Sequence, residues 1–140
     1  MIYLELFIPV IPIAKGRPKF FRRGNFVGTY TPTRTRSYEA EIKDIIERHM
    51  LQNNIKTAIG PLSMSLVFYF PRPKSHTKKM RMCMHHTVAP DVDNLCKSAF
   101  DALNGIVFAD DKQICMLAAA KRYCQDTQRP GVMLRLEKLK

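Results

Sequence analysis

Acidic residues are scarce in this sequence. Twelve Asp and Glu residues stand against 23 Lys and Arg in 140 residues, which gives a formal net charge of +11 and a pI near 9.8. This imbalance favours a polyanionic partner, with nucleic acid the first candidate and an anionic membrane surface the second. The alternative is a small basic protein that has no polyanionic partner.

The four cysteines lack the paired spacing of a disulfide framework or a structural metal site. No CxxC motif occurs, and we expect reduced, buried thiols. The stretch "CMHH" places Cys83 near His85 and His86, which raises the possibility of zinc. Because paired ligands are absent, we favour a polar, partly ordered loop for these residues.

Long apolar runs are also absent. The stretch "MIYLELFIPVIPIAKGRPK" opens without a basic residue and contains Glu5, Pro9 and Pro12, so it is typical of neither a secretory signal nor a membrane span. No internal repeat appears, and 46% apolar residues suffice for one core. We expect a single domain over residues 1–140 that stays in the cytoplasm, away from membranes.

Apolar periodicity predicts an α+β fold. Alternation every second residue predicts strands, and apolar residues three and four apart predict helices. The first helix has Thr35 or Ser37 as a candidate N-cap. The element order is β-α-β-α-β-β, a small mixed β-sheet with two main helices, with strands at 2–8, 62–70, 114–123 (buried) and 132–139, and helices around 38–50 and 92–104.

A basic segment from Ala14 to Arg36 shows no such pattern and predicts a long loop. Its cations are interleaved with aromatic residues, a composition that suits phosphate contacts combined with base or sugar packing. A solvated, mobile loop anchored by its aromatics is the alternative. The candidate DNA-binding residues are Lys15, Gly16, Arg17, Lys19, Arg22, Arg23, Arg34 and Arg36. A second basic stretch, 72–81, contains no acid.

An acidic segment follows these basic stretches. It reads "PDVDNLCKSAFDALNG" at 90–105, and "FADDKQI" comes soon after it. A helix over 92–104 would explain its apolar stripe and would set Asp93 and Lys97 at the i, i+4 spacing of a stabilising pair. One aspartate at the helix start is a good N-cap. Asp91 together with Asp93, and the pair Asp110-Asp111, need another explanation.

Convergence of these carboxylates on a metal ion is our hypothesis. In an extended approach to the helix, Asp91 and Asp93 point the same way. Asp110 and Asp111 can fold back toward them. Carboxylates without His or Cys suit a hard cation, Mg²⁺ or Mn²⁺. Lys97, one turn after Asp93, could touch a phosphate or the attacking water, which predicts phosphodiester hydrolysis.

The acidic segment resembles the signature of the RusA family of Holliday junction resolvases, endodeoxyribonucleases of bacteria and their phages. "KGRPKFFRRG", "YTPTRTRSYE" and the His85-His86 pair are also similar to phage-type members. The resemblance implies a RusA-like fold and a homodimer that cuts four-way junctions symmetrically with Mg²⁺. It also implies DNA contacts around Lys15 to Arg17. The residues it assigns to the site are Asp91, Asp93 and Asp111 as metal ligands, Asp110 beside them, and Lys97 as the catalytic lysine.

One departure from the family pattern is Ala89, where many relatives carry a basic residue. It leaves the carboxylates in place and removes an expected phosphate contact. Two other functions stay open at this point. The first is a metal-dependent nuclease acting on other branched DNA or on RNA. The second is a non-catalytic DNA-binding protein whose acids only cap and solvate a helix.

Overall fold

The computed structural model describes residues 1–16, 19–30 and 32–140. Within them, no helix is both long and apolar enough to cross a bilayer. Short 3₁₀ turns lie at Met80–Met82 and Asp111–Gln113. The strands and helices are β1 (Ile2–Ile8), β2 (Lys19–Arg23), β3 (Phe26–Tyr30), α1 (Thr33–Gln52), β4 (Leu62–Phe70), α2 (Val92–Leu103), β5 (Ile114–Tyr123) and β6 (Gly131–Lys138).

Four strands form a mixed sheet in the order β1-β6-β4-β5. β6 runs antiparallel to both β1 and β4, whereas β5 runs parallel to β4. A parallel neighbour requires a crossover connection, and α2 supplies it between β4 and β5. This arrangement confirms the predicted α+β class, with its mixed sheet and two main helices.

The core lies between the helices and one face of the sheet. Every second residue of β4, from Leu62 to Phe70, is buried, as expected for a strand with one covered face. Ile46 of α1 and Leu95 of α2 are 0% and 1% exposed. Full burial of one such side chain contributes about 1.5–3 kcal/mol. Packing against the sheet therefore fixes the position of both helices, including the start of α2.

The predicted N-cap of α1 is wrong. The helix begins at Thr33 after Pro32, and no side chain caps it. Thr35 is instead buried, and its Oγ1 accepts a hydrogen bond from the Gly16 N–H at 3.0 Å. A Cβ added at Gly16 would lie 2.8 Å from this oxygen, so the close approach requires glycine.

Two further expectations need correction. The segment 14–36 is not a patternless loop, because β2 and β3 pair in register as a hairpin and α1 begins inside the segment. Gly24, at φ +57°, supplies the left-handed conformation at the hairpin turn. β5 was expected to be buried, but residues 115–119 are all exposed. It is an edge strand, and among the described residues the segment 84–86 meets its free side only at the end of the strand, through the bridge between His85 and Arg122.

Candidate active site

Asp91 and Asp93 lie exposed at the start of α2. Asp91 occupies the N-cap position with extended backbone (φ −72°, ψ 146°), and its carbonyl accepts the Leu95 N–H at 3.1 Å. Its side chain makes no capping hydrogen bond. Helix capping therefore does not occupy the Asp91 carboxylate, and both carboxylates remain available to a ligand.

Lys121 holds the backbone that leads into Asp91. From β5, its ammonium donates to the carbonyls of Val88 and Pro90, each at 2.7 Å. The Ala89–Pro90 peptide bond between these carbonyls is cis. The sequence analysis missed this contact. The available signal was a lone lysine in the apolar run "ICMLAAAK".

Gln113 fixes the turn that carries the paired aspartates. Its Oε1 accepts the backbone N–H groups of Ala109 (2.9 Å) and Asp110 (3.1 Å). Its amide nitrogen donates to the carbonyls of Ala58 (3.1 Å) and Gly60 (3.0 Å), just before β4. Together with the bond from the Lys112 N–H to Asp110 Oδ1 at 2.9 Å, this makes a capping box. The Asp-x-x-Gln spacing was a signal that sequence reasoning missed.

The neighbouring carboxyl groups of Asp110 and Asp111 shift each other's pKa in opposite directions. The hydrogen bond from the Lys112 backbone holds the pKa of Asp110 below its usual range. The hydrogen bond with Asp110, followed by desolvation and the charges of Asp110 and Asp101, raises the pKa of Asp111. Crowded carboxylates of this kind favour either a proton or a cation between them. The donor chemistry therefore fits a hard divalent ion.

The carboxylates of Asp91 and Asp93 are not gathered with those of Asp110 and Asp111 into one metal site. Within residues 1–16, 19–30 and 32–140, no three His, Cys, Asp or Glu side chains are close enough to hold a metal ion. The charge of Asp101 contributes to the raised pKa of Asp111, so Asp111 lies on the Asp101 side of the helix. Asp101 itself lies about 12 Å along the helix from Asp93 at the usual rise. The metal-ligand assignment of Asp91, Asp93, Asp110 and Asp111 remains a prediction.

Lys97 projects from α2 and is exposed. In the described ranges no ion pair joins it to Asp93, so the predicted stabilising pair is wrong. Lys15 forms the ion pair on this helix instead, with Asp101. That contact, through the Asp101 hydrogen bond, raises the pKa of Lys15 and ties the chain after β1 to α2. The Lys97 ammonium is left for another partner.

The remaining predicted DNA contacts lie on several elements. Lys19, Arg22 and Arg23 are exposed on β2, and the Arg22 Nε donates to the Gly24 carbonyl at 3.0 Å. Arg34 and Arg36 are exposed in the first turn of α1. Arg17 lies outside the described residues.

Aromatic side chains accompany these cations on the hairpin. Phe20 is 77% exposed and Phe26 63%. The Phe21 ring lies 6.0 Å from that of Phe26 and 6.2 Å from that of Tyr30, measured between centroids. The hairpin thus presents rings and positive charge on both of its faces.

His86 has a role that the sequence analysis did not foresee. It does not belong to a polar loop, because only 7% of it is exposed and its ring stacks on Phe70 with centroids 4.2 Å apart. Burial, and then the charge of Lys121, lower the pKa of His86. Arg72, in the second basic stretch, donates to the Met80 and Cys83 carbonyls at 3.1 and 2.9 Å, which organises that stretch.

Comparison with known proteins identifies the family. Residues 9–137 match the family described as Endodeoxyribonuclease RusA. The chain is also 32% identical over 131 residues to a Bacillus subtilis (strain 168) protein named "Uncharacterized protein YqaN", covering 89% of each chain. The chain therefore belongs to the RusA family of endodeoxyribonucleases and is a nuclease of that family.

Proposed function

We propose that this RusA-family nuclease resolves Holliday junctions with Mg²⁺ (or Mn²⁺), nicking two strands of the four-way DNA symmetrically as a homodimer. One observation carries the proposal. Asp91, Asp93 and Lys97 stand exposed on the first turns of a helix whose approach is fixed by Lys121. They do so in a chain with a net charge of +11, which draws DNA to them.

Each side chain has its own part in the proposed reaction. Asp91, Asp93, Asp110 and Asp111 would hold the cation, which supplies Lewis-acid polarisation of the phosphate when bound. A carboxylate oxygen of Asp91 accepts the proton of the attacking water. The Lys97 ammonium stabilises the negative charge that develops on the phosphate oxygens.

The exposure of the proposed ligand side chains suits a metal site that forms only when the ion binds. Asp91 and Asp93 have exposed side chains, which change rotamer on the picosecond to nanosecond timescale. Asp110 and Asp111 lie on a backbone that Gln113 holds. One half is therefore fixed by the backbone, and the other can adjust its side chains to the substrate.

The hairpin and the start of α1 supply the proposed DNA path. Lys19, Arg22 and Arg23 neutralise phosphates, while exposed rings such as Phe20 pack against sugars or unstacked bases. Arg34, which lines a cleft together with Ala89 and Pro90, brings positive charge near the start of α2, and Arg36 is a second exposed cation on the same turn of α1. Because phosphate contacts carry no sequence information, these residues position the junction without reading it.

β5 is the proposed dimer surface. Residues 115–119 are exposed in succession, and since alternate side chains point to opposite faces, both faces of the strand are uncovered. Met116 is 59% exposed and Leu117 46%. An apolar edge strand invites pairing with another strand. A second copy is the partner that a two-fold junction requires.

Introducing negative charge on the exposed edge of β5 tests the dimer. Met116→Glu with Leu117→Glu should convert a dimer into a monomer, as measured by light scattering after size exclusion. The matched control is Leu51→Glu with Ile59→Glu, since both of these residues are 83% exposed and neither lies on β5. A monomeric wild type, or an unchanged dimer in the β5 variant, would contradict this interface.

A substrate panel tests the function itself. Cleavage of a four-way junction is compared with duplex, flap and single-stranded DNA and with structured RNA, each with and without Mg²⁺. We expect paired nicks in the four-way junction and little cleavage of duplex. Preferential cleavage of a flap or of RNA would indicate a different nuclease substrate. Binding without cleavage of any form would leave a DNA-binding protein.

A further inference from the structure

A cleft of about 530 Å³ lies directly beside Asp91. Its lining includes Ala89 and Pro90, the two residues that precede Asp91, and Arg34 from the first turn of α1. Its volume falls within the roughly 300–1,000 Å³ range of small-ligand sites. Anything bound there would lie next to the first residue of the proposed active site.

Buried rings line the cleft. Phe70, His86 and Tyr123 are 7%, 7% and 8% exposed. The His86 ring centroid lies 4.2 Å from that of Phe70 and 4.8 Å from that of Tyr123. A cluster of planar side chains beside open space suits a flat, ring-shaped ligand.

Arg34 is the only charged side chain among the described residues of this lining. The other lining side chains are apolar or aromatic, apart from the imidazole of His86. A ligand that combines a flat ring with one negative charge matches this composition. A nucleotide has both parts, with its base as the ring and its phosphate as the charge.

The imidazole of His86 has an unmet hydrogen-bonding need. Its Nδ1 is buried and has no hydrogen-bond partner in the described part of the chain. Buried polar atoms are almost always partnered, and an orphan marks either a cost in stability or a missing ligand. Because this nitrogen has almost no accessible surface, its unmet bond is a cost in stability, and what the cleft offers a ligand is its aromatic lining and Arg34.

We propose that the cleft binds one unstacked base of the DNA substrate, with the adjoining phosphate on Arg34. The bound nucleotide neighbours the phosphate that is cut, so the cleft sets where a strand enters the site. This inference rests on the proposed function in that it takes DNA as the substrate. Taking a base out of the helix costs least where it has already lost a stacking neighbour, as at the crossover where the arms of a junction meet.

An abasic scan tests the cleft. Four-way junctions carry a single abasic site at each position around the crossover, and their dissociation constants are measured by fluorescence anisotropy without a divalent ion. We expect one position at which losing the base weakens binding about tenfold, the size of one stacked base. The neighbouring positions should change affinity much less.

Two matched variants locate that effect. Ile11 lines the cleft and is 50% exposed, so Ile11→Trp should fill it without disturbing the core. Ile2, 47% exposed at the start of β1 and not part of the cleft lining, gives the control Ile2→Trp. We expect Ile11→Trp to bind every junction alike, with the tenfold dependence on one base gone. Ile2→Trp should retain it.

The outcomes separate this inference from the proposed function. A flat abasic scan, or a position dependence that survives Ile11→Trp, would overturn the base-binding cleft even if junctions are cleaved. Equal affinity for junction and duplex would count against the junction function. In that case the same scan on single-stranded DNA still decides the cleft, with a position-dependent loss supporting it and a flat profile refuting it.

Discussion

The start of α2 and the β2–β3 hairpin hold their charged groups in opposite ways. Lys121 clamps the carbonyls before Asp91, and Gln113 clamps the turn that bears Asp110 and Asp111. On the hairpin, Arg22 donates a hydrogen bond to the Gly24 carbonyl of the same hairpin, and this bond ties it to no other element. Chemistry requires groups held in place, whereas phosphate binding tolerates mobile cations. We therefore propose that the start of α2 carries out catalysis and that the hairpin binds DNA.

Asp91→Asn should separate the two roles most sharply. Loss of one carboxylate should slow junction cleavage by at least about 100-fold, because ligand and proton acceptor are both lost. Affinity for the junction should stay within about threefold, since the hairpin is untouched. Single-turnover cleavage and anisotropy measure these quantities. The control is Asp44→Asn, which removes an exposed ion pair on α1. Full cleavage by Asp91→Asn would remove Asp91 from the site.

Lys121→Met should produce a smaller loss of the same kind. Without the ammonium, the Val88 and Pro90 carbonyls lose their common donor, and Asp91 is held less well. We expect kcat to fall about tenfold, as for other supporting contacts, with KM nearly unchanged. Lys56→Met, at an exposed lysine before β4, is the control. A rise in KM at constant kcat would make Lys121 a DNA contact instead.

Arg22→Ala with Arg23→Ala should affect binding and spare chemistry. Each phosphate contact contributes about 0.9 to the slope of log K against log salt, so the double variant should flatten the slope by up to about 1.8. The kcat at saturating DNA should be unchanged. Arg48→Ala with Arg135→Ala removes the same charge from residues that form ion pairs elsewhere. An unchanged slope would take the hairpin out of the DNA path.

His86→Phe should give the smallest effect, on stability. It keeps a ring against Phe70 and removes the unpartnered nitrogen, so the free energy of unfolding should rise by about 1 kcal/mol. Burial and Lys121 lower the pKa of His86 below 6.5, and Arg34 lines the same cleft. As the pH falls, His86 therefore becomes protonated in the unfolded chain at a higher pH than in the folded protein.

That proton uptake fixes the sign of a pH dependence. Wild-type stability should decline as the pH drops from about 6.5 toward the lowered pKa of His86, then level off for this group. The difference between wild type and His86→Phe in urea unfolding isolates His86 from the other histidines. A difference that does not change between pH 7.5 and pH 5 would contradict a lowered pKa.

Periodicity was enough to predict most of the fold. Alternating burial in β4 and the apolar stripe of α2 are local consequences of one covered face, so pattern reveals them. The β2–β3 hairpin escaped because all of β2 is exposed, and no alternation marks such a strand. The exposure of β5 was not predicted for the opposite reason. Its apolar residues are typical of a buried strand, and only the order of strands in the sheet shows that it lies at an edge.

The site was predicted less completely. Clustered acids in a basic chain singled out Asp91, Asp93 and the pair Asp110-Asp111, and the resemblance to the RusA family chose Asp111 from that pair; these assignments stay predictions. Lys121 and Gln113 act through contacts 31–33 and 53–55 residues away in sequence, which no local spacing encodes. Lys15 stays a predicted DNA contact, and its ion pair with Asp101 is a long-range contact of the same kind.

Addition of Mg²⁺ to a preformed complex tests the central claim most directly. The protein is mixed with a four-way junction in EDTA, binding is confirmed by anisotropy, and excess Mg²⁺ is then added while both labelled strands are followed. We predict intact strands before the addition and symmetric nicks in both strands after it. Cleavage in EDTA, or a bound junction that stays intact in Mg²⁺ and Mn²⁺ alike, would contradict the account.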